Sequence, residues 1–536
     1  MNELTIAAML RRAVQCSPDR EIVSRNADGS LHRTTWAGID ARSRRLASAL
    51  LGLGLSPGAR VATLCVSHHR HLELYFAAPL AGLVLHPLNH RLHDDDIAYI
   101  ATHAGDEVLV VDEAFLPLVE RIRDRTPLRH VVVVAENPDP ADGYEGFLAG
   151  GDPAWQPGDL DEHAVALVAF TSGTTGRPKG VEVTHRAIAL HALSTSLPGY
   201  LGMRDTDVVL PVVPMFHALA WGWPYTAALL GATLVLPGNR LDPAGLLELI
   251  DGERVTLTGG VPTVWLGVLR TLDADPGAFD VSSLRMVLSG GSTAPPAMID
   301  GFARRHGVPL VHTWGMTELL MGAVAELSAD LLDADAEEQH RYRLTQGRPM
   351  PLTEIQARTD AGGLAPWDGH TPGELEIRGP WVAGSYLDAP EASAERWTGD
   401  GWFRTGDIVT IAPGGYLEIT DRAKDVVKSG GEWISTPALE SALMAHPAVA
   451  EAAVIGVADD RWGERPLAVV AAHCGSVVTA AELREFLGGR VARFWIPERV
   501  EFVASVPKTA VGKFDKVALR RDHVVGDGAG THGAGT

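Results

Sequence analysis

Lysine is nearly missing from this chain: of its 46 basic residues only six, Lys179, Lys424, Lys428, Lys508, Lys513 and Lys516, are lysines. Arginine serves wherever a generic positive charge suffices. Each surviving lysine is therefore a candidate for a task that needs a compact ammonium on a flexible stem, which arginine's planar fork cannot copy. Lys516, near the C-terminus, reads more simply as chance retention. Cysteine is scarce too, and Cys16, Cys65 and Cys474 at unrelated spacings exclude a disulfide frame or a Cys-rich zinc site. No apolar run reaches the length of a membrane span and the N-terminal stretch lacks the layout of a secretory signal, so no transmembrane segment and a cytoplasmic location are expected. A basic stripe is also absent. With 46 Lys+Arg against 67 Asp+Glu, the net charge of −21 repels phosphate backbones and excludes nucleic acid as a partner. No G-x-S-x-G elbow or G-x-G-x-x-G turn occurs, which removes hydrolase and dehydrogenase readings.

What is present is a globular composition, 46% apolar and 21% charged over 536 residues, enough for two or three domains. Strand-like runs at Arg60 to Val66, Glu107 to Val111 and His130 to Val134 alternate with helical stretches at Trp36 to Leu53 and Leu72 to Leu85, which predicts parallel α/β sheets covered on both faces. From Leu352 to Ile419 short β segments are broken by Gly and Pro, as in a small β-rich subdomain. The expected layout is an α/β multi-domain protein. A large N-terminal domain of α/β sheets spans 1–420, with its β-rich subdomain at about 352–420. A hinge at 421–425 leads to a mobile small α+β domain at 426–523, and a Gly-rich tail at 524–536 is expected to be disordered. Within the last domain, Pro437 to His446 and Ala480 to Leu487 read as helices, and Val449 to Val457 and Pro466 to His473 as strands.

The densest chemical signal is Thr171-Ser172-Gly173-Thr174-Thr175-Gly176-Arg177-Pro178-Lys179-Gly180, following the apolar run Ala164 to Phe170. Backbone N–H groups, hydroxyls and one ammonium in so short a loop can wrap a polyphosphate. It is not a Walker A loop, because Pro178 precedes the lysine and Gly180 follows it. Cys65, His68, His69 and His71 match no zinc spacing and read as a solvated helix start.

Four further motifs follow in order: Trp314-Gly315-Met316-Thr317-Glu318, then Thr405-Gly406-Asp407, then Asp421-Arg422 with Lys428-Ser429-Gly430-Gly431-Glu432-Trp433, and Pro507-Lys508-Thr509-Ala510-Val511-Gly512-Lys513. Together with the phosphate loop they resemble the adenylate-forming superfamily of acyl-CoA synthetases, aryl-CoA ligases, nonribosomal adenylation domains and luciferases, over almost the whole chain. Pro214-Met215-Phe216-His217 to Trp221, and Gly260-Val261-Pro262-Thr263-Val264-Trp265, look most like the medium- and long-chain fatty acyl-CoA synthetase branch.

The resemblance implies ATP, Mg²⁺ and CoA as cofactors, a carboxylic acid as substrate, and a homodimer. It implies that Lys513 bridges the acid's carboxylate and the α-phosphate, and that Glu318 holds Mg²⁺ with Thr174 and Thr317 on phosphate oxygens. Thr171, Ser172, Gly173, Thr175 and Lys179 complete the phosphate loop. Gly290, Gly291, Ser292, Trp314, Gly315 and Met316 frame the adenine, and Asp407 and Arg422 take the ribose. Lys424 is the hinge, while Lys428, Gly430, Gly431 and Trp433 line the pantetheine path. His217, Trp221, Val261 and Met321 line the acyl pocket, with Trp221 as a candidate gate. Plainer readings stand beside these: a loop salt bridge for Asp407 and Arg422, and a core role for Trp314.

Two departures bear on the acid. His312-Thr313-Trp314-Gly315 replaces the usual Gln-Gly-Tyr-Gly, and Leu319-Leu320-Met321-Gly322 follows Glu318 where the branch more often has small polar residues and proline. Three readings stay open: a fatty acyl-CoA synthetase, an adenylating enzyme that passes its acid or another oxyanion to an amine or carrier protein, and a catalytically silent nucleotide-binding protein. The intact pantetheine loop favours the first over the second; intact Lys513, Glu318 and phosphate loop count against the third.

Overall fold

The computed structural model describes residues 3–135, 143–171, 177–422, 425–429, 432–459, 461–509 and 513–524, the side chains of residues 432, 433 and 524 excepted. The chain divides into two compact units. The larger comprises residues 1–294, 298–354 and 377–403, and the smaller comprises 295–297, 355–376 and 404–536.

Two sheets build the larger unit. One has six strands in the order His130–Val134, Asp106–Asp112, Arg60–Leu64, Val84–Pro87, Val165–Phe170, Gly180–Thr184, all parallel except the last. The other has nine, in which Leu310–Met316, Met286–Ser289, Leu257–Gly260, Val208–Pro211, Thr233–Leu236 and Glu21–Arg25 run parallel between antiparallel edges. Period-two alternation explains why these strands read as near-continuous apolar runs: Val108 and Val110 face one core, and Leu109 and Val111 face another. Helices fill the crossovers, several of them started by a side chain that accepts an orphan backbone N–H. Thr5, Thr35 and Thr184 cap Ile6–Cys16, Trp36–Leu51 and His185–Thr195 in this way.

One expected helix shifts. The run predicted from Leu72 to Leu85 is the helix His69–Leu80, followed by a turn at Gly82 with φ +69° and the strand Val84–Pro87. Its start is capped by His68, whose Nδ1 accepts from the His71 N–H at 3.1 Å. The histidines there are not solvated as expected, for His69 is 3% exposed and His71 fully buried.

In the β-rich stretch a four-stranded sheet runs Glu354–Arg358, Gly373–Arg378, Phe403–Ile411, Leu417–Arg422. The rest of the smaller unit is a mixed sheet in the order Glu432–Ile434, Val427–Ser429, Gly463–Ala472, Val449–Asp459, with Arg499–Phe502 parallel to Gly463–Ala472. Ala452 and Val454 face one core and Ala453 and Ile455 the other. The helix Ala480–Leu487 begins with a reciprocal capping box between Thr479 and Glu482.

Candidate active site

The phosphate loop leaves the sheet between two paired strands. Its stem is closed by the Thr171 N–H donating to the Lys179 carbonyl at 3.0 Å and the Lys179 N–H donating to Thr171 Oγ1 at 3.1 Å. Ser172, Gly173, Thr174 and Thr175 lie outside the described residues, as do Lys424, Gly430, Gly431, the side chain of Trp433 and the Gly-rich tail from 525. The Lys179 ammonium sits over the Tyr386 ring, 5.0 Å from its centroid. Tyr386 donates its hydroxyl to Glu318 Oε1 at 2.6 Å. Burial first, and then the Glu318 charge and hydrogen bond, push the Tyr386 phenol up, so that it acts as a donor. The loop lysine, a tyrosine and the buried Glu318 thus form one cluster.

Glu318 reaches that cluster because of a tight hairpin. Leu310–Met316 turns back as Leu320–Val324, with an irregularity in register at Trp314/Gly315 and Leu320 at φ +59°. A Cβ on Gly315 would lie 2.0 Å from the Leu320 carbonyl oxygen, so this backbone accepts only glycine. Thr317 and Met316 lie in the same hairpin. Trp314 is 6% exposed and packs on Gly322, where an added Cβ would meet its ring at 2.4 Å. Gly290, Gly291 and Ser292 follow the strand Met286–Ser289, and a Cβ on Gly290 would meet Thr313 at 2.7 Å.

The acyl-side residues gather around a contorted turn. Ala218, Leu219, Ala220 and Trp221 are consecutively left-handed, with φ of 36°, 49°, 52° and 56°. Such backbone costs about 1–2 kcal/mol per residue and persists only where its surroundings impose it. It holds the buried Trp221 ring across the ends of two strands: a Cβ on either Gly259 or Gly290 would approach that ring to 3.1 Å. Met321 is tied in by its N–H, which donates to His191 Nε2 at 3.3 Å, and His191 also packs against Gly222 and Trp381. Burial pulls His191 down to about 3, leaving a neutral ring. His217 stands at the start of the turn, its carbonyl accepting from the Ala220 N–H at 2.9 Å, and Val261 heads the helix Pro262–Ala274.

In the smaller unit, Asp407 and Arg422 are cross-strand partners, and Arg422 Nε donates to Asp407 Oδ1 at 2.7 Å. The salt bridge expected as the plainer reading is formed. Lys513 belongs to a loop closed on itself, with the Thr509 N–H donating to the Lys513 carbonyl at 2.7 Å. Lys428, exposed on its strand, lines a cavity of about 330 Å³ together with Arg358, Asp360, Glu374 and Arg404.

Among the described residues one group has metal-like spacing, Cys65, His68 and Asp112, whose candidate ligand atoms lie within 4.8 Å of one another. Its bonds are already committed. His68 Nε2 pairs with Asp112 Oδ1 at 2.8 Å while Asp112 Oδ2 accepts from the Val66 N–H at 2.8 Å, so the group anchors a helix start.

Residues 10–387 match the AMP-binding enzyme family and residues 438–513 match the AMP-binding enzyme C-terminal domain. The chain belongs to the AMP-binding enzyme family. Its relatives include the long-chain-fatty-acid–CoA ligase of Thermus thermophilus, 44% identical over 97% of this chain and 96% of that one. The 3-methylmercaptopropionyl-CoA ligase of Ruegeria pomeroyi is 42% identical over 96% and 97%. Among solved structures, ATP-bound MatB from Rhodopseudomonas palustris superposes with a TM-score of 0.83 at 27% identity, covering 97% of this chain and 99% of that one. Adenylate-forming CoA ligases such as these relatives use ATP and CoA. No helix among the described residues is long and apolar enough to cross a membrane.

Two residues that touch expected site residues were not found from the sequence of this AMP-binding enzyme, Tyr386 against Glu318 and His191 against Met321. Tyr386 lies in an unremarkable Gly384-Ser385-Tyr386-Leu387 stretch without a sequence signal; the fold brings it in by pairing this stretch with the strand after the phosphate loop, Leu387 N–H to Gly180 carbonyl at 2.9 Å.

Proposed function

We infer that this AMP-binding enzyme is an ATP-dependent, AMP-forming acyl-CoA synthetase whose acid is a medium- or long-chain fatty acid. The observation that carries the choice of acid is the apolar acyl side: a buried Trp221 lies against Gly259 and Gly290, Met321 is held by a neutral His191, and Phe216-His217-Ala218 offers no carboxylate to pair with the amine of an amino acid.

In the first half-reaction a carboxylate oxygen of the acid attacks the α-phosphorus of ATP and the bond to pyrophosphate breaks. Lys513 neutralises the charge shared by the carboxylate and the α-phosphate, which is the main obstacle to bringing two anions together. Thr174 and Thr317 hold phosphate oxygens, and Thr171, Ser172, Gly173, Thr175 and Lys179 cradle the β- and γ-phosphates. Glu318 suits Mg²⁺, being a buried hard-oxygen donor whose Oε1 is fixed by Tyr386 beside Lys179. Bound there, Mg²⁺ would supply charge neutralisation on the phosphates. Asp407 accepts from the ribose hydroxyls and Arg422 supports it, while Gly290, Gly291, Ser292, Trp314, Gly315 and Met316 frame the adenine.

In the second half-reaction the CoA sulfur attacks the acyl carbonyl, the bond to AMP breaks, and the thiol proton leaves to solvent. Lys424 is the pivot between the two steps, and Lys428, Gly430, Gly431 and Trp433 guide the pantetheine arm. By resemblance to the fatty acyl branch the enzyme works as a homodimer, a state that a monomeric mass by light scattering at micromolar concentration would contradict, and the sequence expectation for its location is the cytoplasm.

The test is acid-dependent pyrophosphate release with Mg-ATP over a panel of fatty, aryl and short thioether acids, each with and without CoA, with products read by mass spectrometry. A CoA-dependent optimum at one fatty chain length is the expected result. Turnover that ignores CoA would reassign the acceptor, and a preference for the thioether acid would reassign the acid.

A further inference from the structure

The helix Lys516–Val524 begins just after Lys513, and its first side chain is held by a cluster that the mechanism above does not use. Lys516 is not an idle survivor as its position suggested, for its side chain is only 14% exposed. The ammonium donates to Thr436 Oγ1 at 2.5 Å and pairs with Glu440 Oε1 at 2.8 Å. That oxygen of Glu440 also accepts from the Val454 N–H at 2.8 Å. Thr436 donates its backbone N–H to Asp421 Oδ2 at 2.7 Å, and Asp421 Oδ1 accepts from the Arg422 N–H at 2.7 Å. Arg422 in turn reaches Asp407 at 2.7 Å. A continuous polar path therefore runs from the root of the Lys513 loop to the Asp407–Arg422 pair, all within the smaller unit.

The two flanks of this loop are tied together. Besides the Thr509 to Lys513 bond at 2.7 Å, the Lys513 N–H donates to Thr509 Oγ1 at 3.2 Å and the Asp515 N–H to the Pro507 carbonyl at 2.8 Å. Where Lys516 sits therefore decides where Lys513 can reach. A buried ion pair is a poor source of stability, because desolvating two charges offsets most of their attraction, so its presence points to a geometric role. Burial pulls the Lys516 ammonium down, but Glu440, Asp421 and Asp425 outweigh it and keep the group charged.

We propose that Lys516 is a positioning residue for the adenylation step, fixing the Lys513 loop relative to the Asp407–Arg422 pair through Thr436, Glu440 and Asp421. The proposal rests on the roles given above to Lys513 and Asp407. It also accounts for a lysine persisting in an arginine-rich chain: a single compact ammonium fits between Thr436 and Glu440, and a planar fork does not.

The experiment separates the half-reactions in the full-length enzyme, using single-turnover pyrophosphate release from ATP and a fatty acid, and thioester formation from supplied acyl-adenylate and CoA. Lys516→Met and Lys516→Arg should each slow pyrophosphate release about tenfold to a hundredfold, the scale of a misplaced catalytic group, and leave thioester formation within about threefold. The double variant Lys516→Met/Glu440→Leu replaces the pair with apolar bulk that buried sites tolerate, so it reports even if the single variants do not fold. It should fold and remain slow in adenylation. Restored adenylation in the double variant, or equal loss in both half-reactions, would reduce Lys516 to a structural residue and overturn the proposal. Failure of the wild-type enzyme to release pyrophosphate with any acid would instead overturn the functional reading on which it rests.

Discussion

The larger unit holds one lysine, Lys179, and the smaller holds the other five. What each buries differs accordingly. In the larger unit His69, His71, His185, His191 and His312 are at most 3% exposed, and burial pulls all of them down, so they are uncharged at neutral pH. The smaller unit buries Lys516, Glu440 and Asp421 as a charged cluster. Neutral rings suit an apolar framework, since desolvating them costs little and they still accept a hydrogen bond, as His191 does from Met321. Paired charges let the smaller unit keep Lys516 charged although buried. The larger unit buries charge as well, but there as ion pairs such as Arg42 with Glu73 and Arg285 with Asp207.

Around these histidines and around Asp421 the protein therefore answers acid with opposite signs, and that is the largest effect expected. For His71 and His191, at about 3, and His185 and His312, at about 4, the ordinary value of 6.5 applies to the unfolded chain. The unfolded state then takes up protons that the folded state refuses, so the larger unit loses stability as pH falls from 6.5 toward 4, by about 1.4 kcal/mol per histidine per pH unit. Asp421 goes the other way. Burial pushes it up to about 6, opposed by Lys516, so its contribution is fully present below the ordinary carboxylate range and is lost as pH rises through 6. Hydrogen exchange at pH 7 and pH 5, corrected for intrinsic rates, should show the segments around His71 and His191 opening more at pH 5 while those around Asp421 and Thr436 open less. The same sign in both would break the comparison.

The next effect is on catalysis. Lys513→Ala should reduce acid-dependent pyrophosphate release about 10²- to 10³-fold, the scale of losing one preorganised charge partner, with ATP binding by fluorescence titration largely kept. Unchanged release would leave the lysines of the smaller unit without a chemical reason for their survival. In the larger unit the matching test is Tyr386→Phe, which keeps the ring under Lys179 and deletes the hydrogen bond to Glu318. A bond to a charged group is worth about 1.5–3 kcal/mol, so pyrophosphate release should fall about tenfold or more, with a higher Mg²⁺ concentration needed for half-maximal rate. A rate unchanged across the Mg²⁺ titration would detach Tyr386 from the site.

Much of this was legible in the sequence, and the boundary has a physical reason. The strand His130–Val134 and the helix Ala480–Leu487 follow from local period and cap chemistry, and appear where the sequence puts them. The motifs likewise mark their own hairpins, because the glycines in them answer to close backbone approach, as Gly315 does. What the sequence hid are partnerships made only in three dimensions: Tyr386 with Glu318, His191 with Met321, Lys516 with Glu440. Each joins residues distant in the chain by one side-chain atom, which leaves no period or spacing to read. His68 was hidden for another reason, since a ring nitrogen capping a helix replaces the Ser, Thr, Asp or Asn that normally announces one.

The smallest effect probes backbone strain with one substitution made in each unit. Ala→Gly inside a helix costs about 0.5–1 kcal/mol through lost unfolded-state restriction, and Ala442→Gly in the helix Thr436–Met444 of the smaller unit should show that loss. Ala220→Gly carries the same entropic cost but removes a Cβ from a left-handed backbone at φ 52°, which returns about 1–2 kcal/mol. Because Ala220 is 1% exposed, losing its methyl also costs about 0.8 kcal/mol, so the net expectation is a change within about 1 kcal/mol of zero, read as an unfolding midpoint above that of Ala442→Gly. Because the left-handed turn holds Trp221 across Gly259 and Gly290, a variant that favours the turn should also raise KM for long-chain acids while leaving KM for ATP alone. An Ala220→Gly variant destabilised more than Ala442→Gly would mean that the left-handed turn stores no strain for glycine to relieve, and Trp221 would then lose the constraint that makes it a gate.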